Sequence, residues 1–152
     1  MTIDNKNEKK RIARGILESL PEWFGIPEAR EEYIANAEDQ IMIVAFDGES
    51  PIGFLCLEET GKDTVEVHVM GVLKEYHRHG IGSAMFDEAK EIAVSKGYSF
   101  IQVKTVKMGQ YPEYDSTNRF YLSCGFKEFE VIPTLWDKGN PCQIYVMSTG
   151  SP

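Results

Sequence analysis

The chain has 152 residues, 42% of them hydrophobic and 26% charged, and a formal charge of −8 from 24 acidic against 16 basic side chains. That length predicts one domain, residues 1–152, with an adequate core, and no apolar run approaches the roughly 20 residues needed to span a membrane. The acidic balance repels nucleic acid and favours cationic partners, so any anion the protein holds must be held by a local device.

The amino-terminal "MTIDNKNEKKRIARG" is polar and lacks the apolar core of a signal peptide, which predicts a cytoplasmic protein with no membrane partner. Ile12, Ile16, Leu17 and Leu20 recur at helical spacing from Lys9, and Pro21 marks the stop. A second helix follows Pro27 through "PEAREEYIANA". Ile41 to Phe46 reads as a strand, "DGESP" as a hairpin turn, and "IGFLCLE" as the partner strand. In Thr64 to Leu73, Val65, Val67 and Val69 alternate with Glu66, His68 and Met70, the period of a third strand.

Next comes "KEYHRHGIGSAMF", Lys74 to Phe86, and then a helical stripe of Ile81, Ala84, Met85, Ala89, Ile92 and Ala93. Gly97 stands where a capping glycine would end that helix. "SFIQVKTV" is the following strand, so a β-α-β crossover surrounds the Gly-Ile-Gly turn. A polar, aromatic loop, "KMGQYPEYD", leads to a short helix from about Ser116 to Cys124, ended by Gly125. "FKEFEVI" and "CQIYVMS" are the last strands, separated by "PTLWDKGNP". The expected fold is α/β: a mixed, mostly antiparallel central sheet flanked by helices, with a parallel pair in the middle.

Three cysteines, Cys56, Cys124 and Cys142, form an odd set with no C-x-x-C spacing, which suits buried reduced thiols. His68, His77 and His79 lack a carboxylate or cysteine at ligand spacing, so no metal is expected. No local signature supports a cysteine nucleophile either.

Glycines at 80 and 82 permit close backbone approach, and the amides opening the next helix would face a bound anion, aided by the helix dipole. A bare G-x-G is also what a tight turn needs. A dinucleotide site fails twice. Met85 stands where a third glycine or alanine is required, and the next strand offers Gln102 and Lys104 in place of a ribose-binding carboxylate. A G-x-x-x-x-G-K-[ST] phosphate loop is absent.

The segment "VMGVLKEYHRHGIGSAMF" resembles the acyl-CoA-binding segment of the GNAT superfamily of N-acetyltransferases: a strand, then [QR]-x-x-[GA]-x-[GA], then a helix. The pattern falls on His77 to Gly82, with His77 where the strict pattern has Gln or Arg. A second motif, "NRFYLSCGF", matches with Asn118, Tyr121, Gly125 and Phe126, and element order agrees from about Ile41 to Met147. The resemblance implies the GNAT fold and acetyl-CoA as cosubstrate. It implies cofactor-binding positions at His77, Arg78, His79, Gly80, Ile81, Gly82 and Ser83, with the diphosphate held by main-chain N–H groups of Arg78 to Ser83. It also implies Met70 and Val72 main-chain contacts to the acetyl and pantetheine parts, and a pantetheine contact from Asn118.

The implied reaction moves an acetyl group to a primary amine of a small molecule or peptide. Tyr121 matches the family's general acid, and a phenol with pKa near 10 suits protonation of a departing thiolate. Glu66 or His68 would take the amine proton, directly or through water, and Glu66 is preferred; a solvated strand face is the plain reading of each, and an aromatic core position that of Tyr121. Trp23, Phe24, Tyr111, Tyr114 and Trp136, beside Glu113, Asp115 and Asp137, are candidates for the acceptor's walls. A homodimer is compatible with the resemblance, and a non-catalytic acyl-CoA sensor is the alternative to an enzyme.

Overall fold

The computed structural model of the protein describes residues 1–150. Among them, four α-helices and seven strands make a mixed α/β fold with strand order β1-β2-β3-β4-β5-β7-β6. The residues gather into two compact units: Met1–Glu58 with Val67–Glu91, and Glu59–Glu66 with Ile92 onward.

In the first unit, α1 (Lys6–Glu18) begins three residues before the apolar stripe suggests. The Asn5 side chain accepts the Glu8 amide at 2.9 Å and caps the helix there. Its face of Ile12, Ala13, Ile16 and Leu17 is buried, and α2 (Pro27–Ala37) starts at the proline as expected. These helices cover a core that includes Met42, Val44, Phe54, Cys56 and Val69. The strands beneath are β1 (Thr2–Ile3), β2 (Ile41–Asp47), β3 (Ser50–Gly61) and the later part of β4 (Thr64–Val72). β1 pairs antiparallel with β2 and is too short to show any periodicity in the sequence.

Two glycines set the helix-to-strand distances in this unit. A Cβ on Gly71 in β4 would lie 3.0 Å from Leu20 Cδ1 and 3.1 Å from Ile16 Cγ2, so α1 rests directly on that strand position. A Cβ on Gly53 would meet Ile81 Cγ2, Met85 Cε and Val72 Cγ2, each at 3.3 Å. The start of α3 (Ile81–Ser95) is thereby seated on β3 beside the end of β4. Of the expected stripe on α3, Met85, Ala89 and Ala93 are buried, whereas Ala84 is exposed and Phe86 takes its place inside.

In the second unit, Thr64–Glu66 pair in parallel with β5 (Phe100–Val106), the ladder running from Thr64↔Phe100 to Glu66↔Gln102. Gly97, at φ 85°, ends α3: its amide reaches Val94 O and that of Tyr98 reaches Ala93 O, the paired bonds of a left-handed cap. α4 (Pro112–Ser123) opens four residues earlier than the sequence reading places it, with Pro112 in the first turn. Glu113, Tyr114 and Asp115 are therefore helical, and the two acidic residues favour the helix dipole. Gly125, at φ 100°, ends α4 as expected.

The last hairpin is longer than its sequence suggests. β6 (Lys127–Asp137) runs on through Pro133 to Asp137, and β7 (Asn140–Ser148) begins three residues later. Asp137 Oδ1 closes the turn by accepting Gly139 N at 2.9 Å and Asn140 Nδ2 at 2.8 Å, a side-chain turn that reads in sequence as loop composition. β7 pairs antiparallel with both β5 and β6. No helix among the described residues is long and apolar enough to cross a membrane.

The seat of α1 on Gly71 is testable. Gly71→Val forces side-chain atoms into the Ile16 and Leu20 contact, and overpacking of this kind costs about 1–3 kcal/mol. Urea unfolding should show a lower midpoint with an unchanged slope; an unshifted midpoint would mean α1 has room to withdraw.

Candidate active site

The segment between β4 and α3 has little buried apolar anchorage. It begins as a 3-10 turn, Lys74–Tyr76, none of whose residues is buried. Side chains tie it down instead: Lys74 to Glu22, the Tyr76 hydroxyl to Asp47 Oδ2 at 2.5 Å, and the His77 imidazole Nε2 to the Val72 carbonyl at 2.7 Å. The Tyr76 phenol is raised above its ordinary value, because it donates to the Asp47 carboxylate. His77 also meets Trp23 edge-on, with ring centroids 5.8 Å apart.

Beyond His77 the backbone turns over twice. Arg78 has φ 66° and Gly80 φ 77°, while His79 lies between them. The sequence points to Gly80 and Gly82 for unusual dihedrals; the structure gives one to Gly80 and the other to Arg78, with Gly82 inside α3. A non-glycine residue in the left-handed region is uncommon and collects where function constrains the backbone. The helical ladder of α3 opens with Ala84 N to Gly80 O at 3.0 Å, so the N–H groups preceding Ala84 point along the helix axis. No acidic residue stands in the first turn of α3. Left-handed residues beside a helix N-terminus form a concavity of backbone dipoles suited to an anion.

The β4 candidates divide between the units. Met70, Val72 and His68 belong to the first and are half-buried. His68 Nδ1 lies 3.0 Å from the Gln40 carboxamide, its Nε2 3.9 Å from Glu58 Oε2, and its ring 5.3 Å from that of Tyr33. Tyr33 in turn meets Phe24 edge-on at 5.9 Å. Glu66 belongs to the second unit and is only 5% exposed, so it is no solvated strand residue. Lys104 Nζ donates to its Oε1 at 2.7 Å.

Asn118 and Tyr121 share the inner face of α4. Asn118 is fully buried and its amide is spent within the protein: Nδ2 donates to Val106 O at 2.8 Å and Tyr114 O at 2.7 Å, and Oδ1 accepts the Tyr145 hydroxyl at 2.5 Å. That wiring braces α4 against β5 and β7. It leaves little for a bound pantetheine, the role its motif implies. Tyr121 is 7% exposed, its ring 5.8 Å from Phe126 and 6.0 Å from Tyr145.

Strand register separates the acid and base candidates. Tyr145 pairs with Val103, so their side chains share one face of the β5–β7 ladder, and α4 lies on that face. Lys104 is the next residue and points to the other face, carrying Glu66 with it. Tyr121 and Glu66 therefore lie on opposite faces of the ladder.

Comparison with known proteins settles the kinship. Residues 10–126 match the family model of the Acetyltransferase (GNAT) family, well over half of the chain. The chain belongs to the GNAT family of acetyltransferases. Its fold is similar to that of a GNAT-family acetyltransferase from Desulfovibrio desulfuricans, at TM-score 0.87 and 17% identity over 99% of this chain and 98% of that one. It is similar to an aminoglycoside 6'-N-acetyltransferase complexed with coenzyme A, at TM-score 0.76 and 16% identity over 100% and 98% of the two chains. An IAA acetyltransferase from Bacillus cereus gives TM-score 0.74 and 21% identity over 97% of each.

The loop of this GNAT chain fits a coenzyme A diphosphate in kind: backbone dipoles and a helix N-terminus whose first turn carries no acidic residue. Sequence reasoning missed Lys104 and Tyr145, the partners of Glu66 and Asn118. Both depend on strand register, which no local pattern supplies. Among the described residues no group of three or more His, Cys, Asp or Glu side chains is placed to hold a metal ion. A groove of about 250 Å³ between α1 and α2 contains none of the candidates, and its Arg14–Glu31 and Lys10–Glu38 walls are already paired.

The three thiols are reduced. Burial pushes Cys56 up to about 12 and Cys142 up to about 11, the latter despite the lowering effect of Lys104. In the unfolded chain a thiol ionises near 8.5, so the native state holds these protons longer. Their contribution to stability is full below that value and is lost as pH rises toward 11–12. Native protein should accordingly release one fast equivalent in a disulfide-exchange titration at about pH 8, from Cys124, with Cys56 and Cys142 reacting only on unfolding. Three fast equivalents would contradict the burial.

Proposed function

We propose that the protein is an acetyl-CoA-dependent N-acetyltransferase acting on a primary amine of a small molecule or peptide, its chain forming one domain. The observation that carries this reading is the backbone concavity of Arg78 to Ser83 at the start of α3, in a chain whose family match runs through both units. Met70 and Val72 belong to the same reading, as main-chain contacts near the acetyl end of the cofactor.

Acetyl-CoA supplies an activated thioester carbonyl. The remaining work falls to the protein. Glu66 takes the proton of the attacking amine on Oε2, since Oε1 is tied to Lys104. Tyr121 gives its phenolic proton to the departing thiolate from the opposite face. The amine nitrogen and the departing sulfur share one carbon, so with base and acid on separate faces of the ladder Glu66 acts on the amine through water. His68 is the weaker base candidate: one ring nitrogen is occupied by Gln40 and the other looks toward Glu58. Phe24, Tyr33 and Glu58, gathered around His68, offer a cationic amine aromatic faces and a carboxylate.

The deciding experiment measures thiol release from acetyl-CoA against a panel of aminoglycosides, polyamines and short peptides. Turnover with an amine supports the enzyme; coenzyme A binding without turnover would make the protein an acyl-CoA sensor. In the same assay Tyr121→Phe should lower kcat and kcat/KM together by about 10² to 10⁴, with KM for acetyl-CoA nearly unaltered. Wild-type turnover under chemistry-limited conditions would remove Tyr121 from the mechanism.

Glu66→Gln should lower kcat/KM most at low pH, where an unassisted amine carries its proton, and recover partly at high pH. A loss of equal size at every pH would make Glu66 structural.

A further inference from the structure

His77 departs from the Gln or Arg that the family's pattern places first in this loop, and its side chain is turned back into the protein. The imidazole Nε2–H donates to the Val72 carbonyl at 2.7 Å, bridging five residues across the 3-10 turn. Its ring stands against Trp23 in the connector between α1 and α2, at 5.8 Å. The residue that follows carries the unusual φ of 66°. We propose that His77 is a positioning residue for the cofactor: through the Val72 carbonyl and Trp23 it holds the loop in the shape that turns the 78–83 backbone toward the diphosphate, and does not itself touch the ligand.

Three considerations support this assignment. A non-glycine left-handed residue needs its neighbours to over-determine it, because the strain is otherwise relieved by a local flip. His77 is the residue immediately before Arg78, and its side-chain bond fixes the backbone on that side; Gly80, with the first helical bond of α3, fixes the other. The same bond occupies the Val72 carbonyl, which steers any pantetheine contact at Val72 toward its N–H. The other side-chain ties of the turn, Lys74 to Glu22 and Tyr76 to Asp47, join one side chain to another, whereas the His77 bond, itself exposed, ends on a main-chain carbonyl. His77 thus ties the segment before the cradle directly to the backbone of the strand it leaves.

The inference rests on the reading of this loop as the coenzyme A cradle, and the test separates the two. Coenzyme A is titrated calorimetrically into wild type, His77→Ala and His77→Gln, with the thermal midpoint of each unliganded protein measured alongside. Gln keeps an N–H donor of similar reach without the ring. The Ala variant should bind coenzyme A about two- to tenfold more weakly, the scale of one lost hydrogen bond, with its unliganded midpoint little changed, and the Gln variant should recover most of the affinity. Wild-type affinity in the Ala variant would overturn the positioning role, and so would equal losses in Ala and Gln, which would assign the effect to the ring and not the bond. Absence of binding by the wild type would overturn the cradle itself.

Discussion

Helix α3 starts close above a position of β3 that lacks a side chain. A Cβ on Gly53 would meet the tips of Ile81, Met85 and Val72 at 3.3 Å, so any larger residue there would press these side chains away from the strand. That contact fixes the height of the helix above the sheet and the direction of its first turn. The backbone between β4 and α3 must then cover the distance from Val72 to Ile81 with Leu73, at its start, packed against the core. It does so with a 3-10 turn, a side-chain brace at His77 and two left-handed residues. The concavity that would receive an anion is the geometric consequence of closing this gap. Packing comes first, and the binding surface follows from it.

The second unit is organised around buried polar groups. Tyr145, Asn118 and the carbonyls of Val106 and Tyr114 form one connected set in which every bond of the Asn118 amide is made inside the protein. An incomplete set would be expensive, since a buried polar atom without a partner costs about 1–3 kcal/mol. Completing it locks α4 to the strands, and α4 carries Tyr121. On the other face, Glu66 would be costly to bury alone, and Lys104 supplies the compensating charge. Both catalytic candidates are thus held by neighbours that do no chemistry themselves, which is how a proton donor and a proton acceptor keep fixed directions.

Much of this was legible in the sequence because the elements are strongly periodic. The alternating valines of β4, the apolar stripe of α1, and Gly97 and Gly125 after their helices all lie where local rules put them. The parallel pairing around the Gly-Ile-Gly turn also followed from the order of strand, helix and strand. What stayed hidden depends on groups brought together from a distance or on side-chain turns. On α3, Ala84 is exposed and Phe86 buried, a choice that the apolar spacing alone does not make. Pro133 did not end β6 as its composition implies, since an edge strand tolerates a missing N–H. The left-handed Arg78 is concealed because the residue type gives no warning; glycine draws the eye to Gly82, which is simply helical.

The charge of the chain and the chemistry of its loop then fit together. A protein of formal charge −8 would repel a diphosphate if it had to bind by net field. Backbone dipoles avoid this problem, because they act over a few ångströms and carry no net charge to be cancelled by distant carboxylates. The same separation of scales leaves the long-range field available for the other substrate. On the proposed function, a protonated amine would be drawn by acidic surface, whereas the cofactor would be recognised at contact by oriented N–H groups. Such an amine would have to arrive charged to profit from that field and lose its proton before attack. The Glu66 carboxylate is engaged by Lys104 on one oxygen, so in the proposed mechanism the second would take that proton, and attraction and deprotonation would be served by different groups.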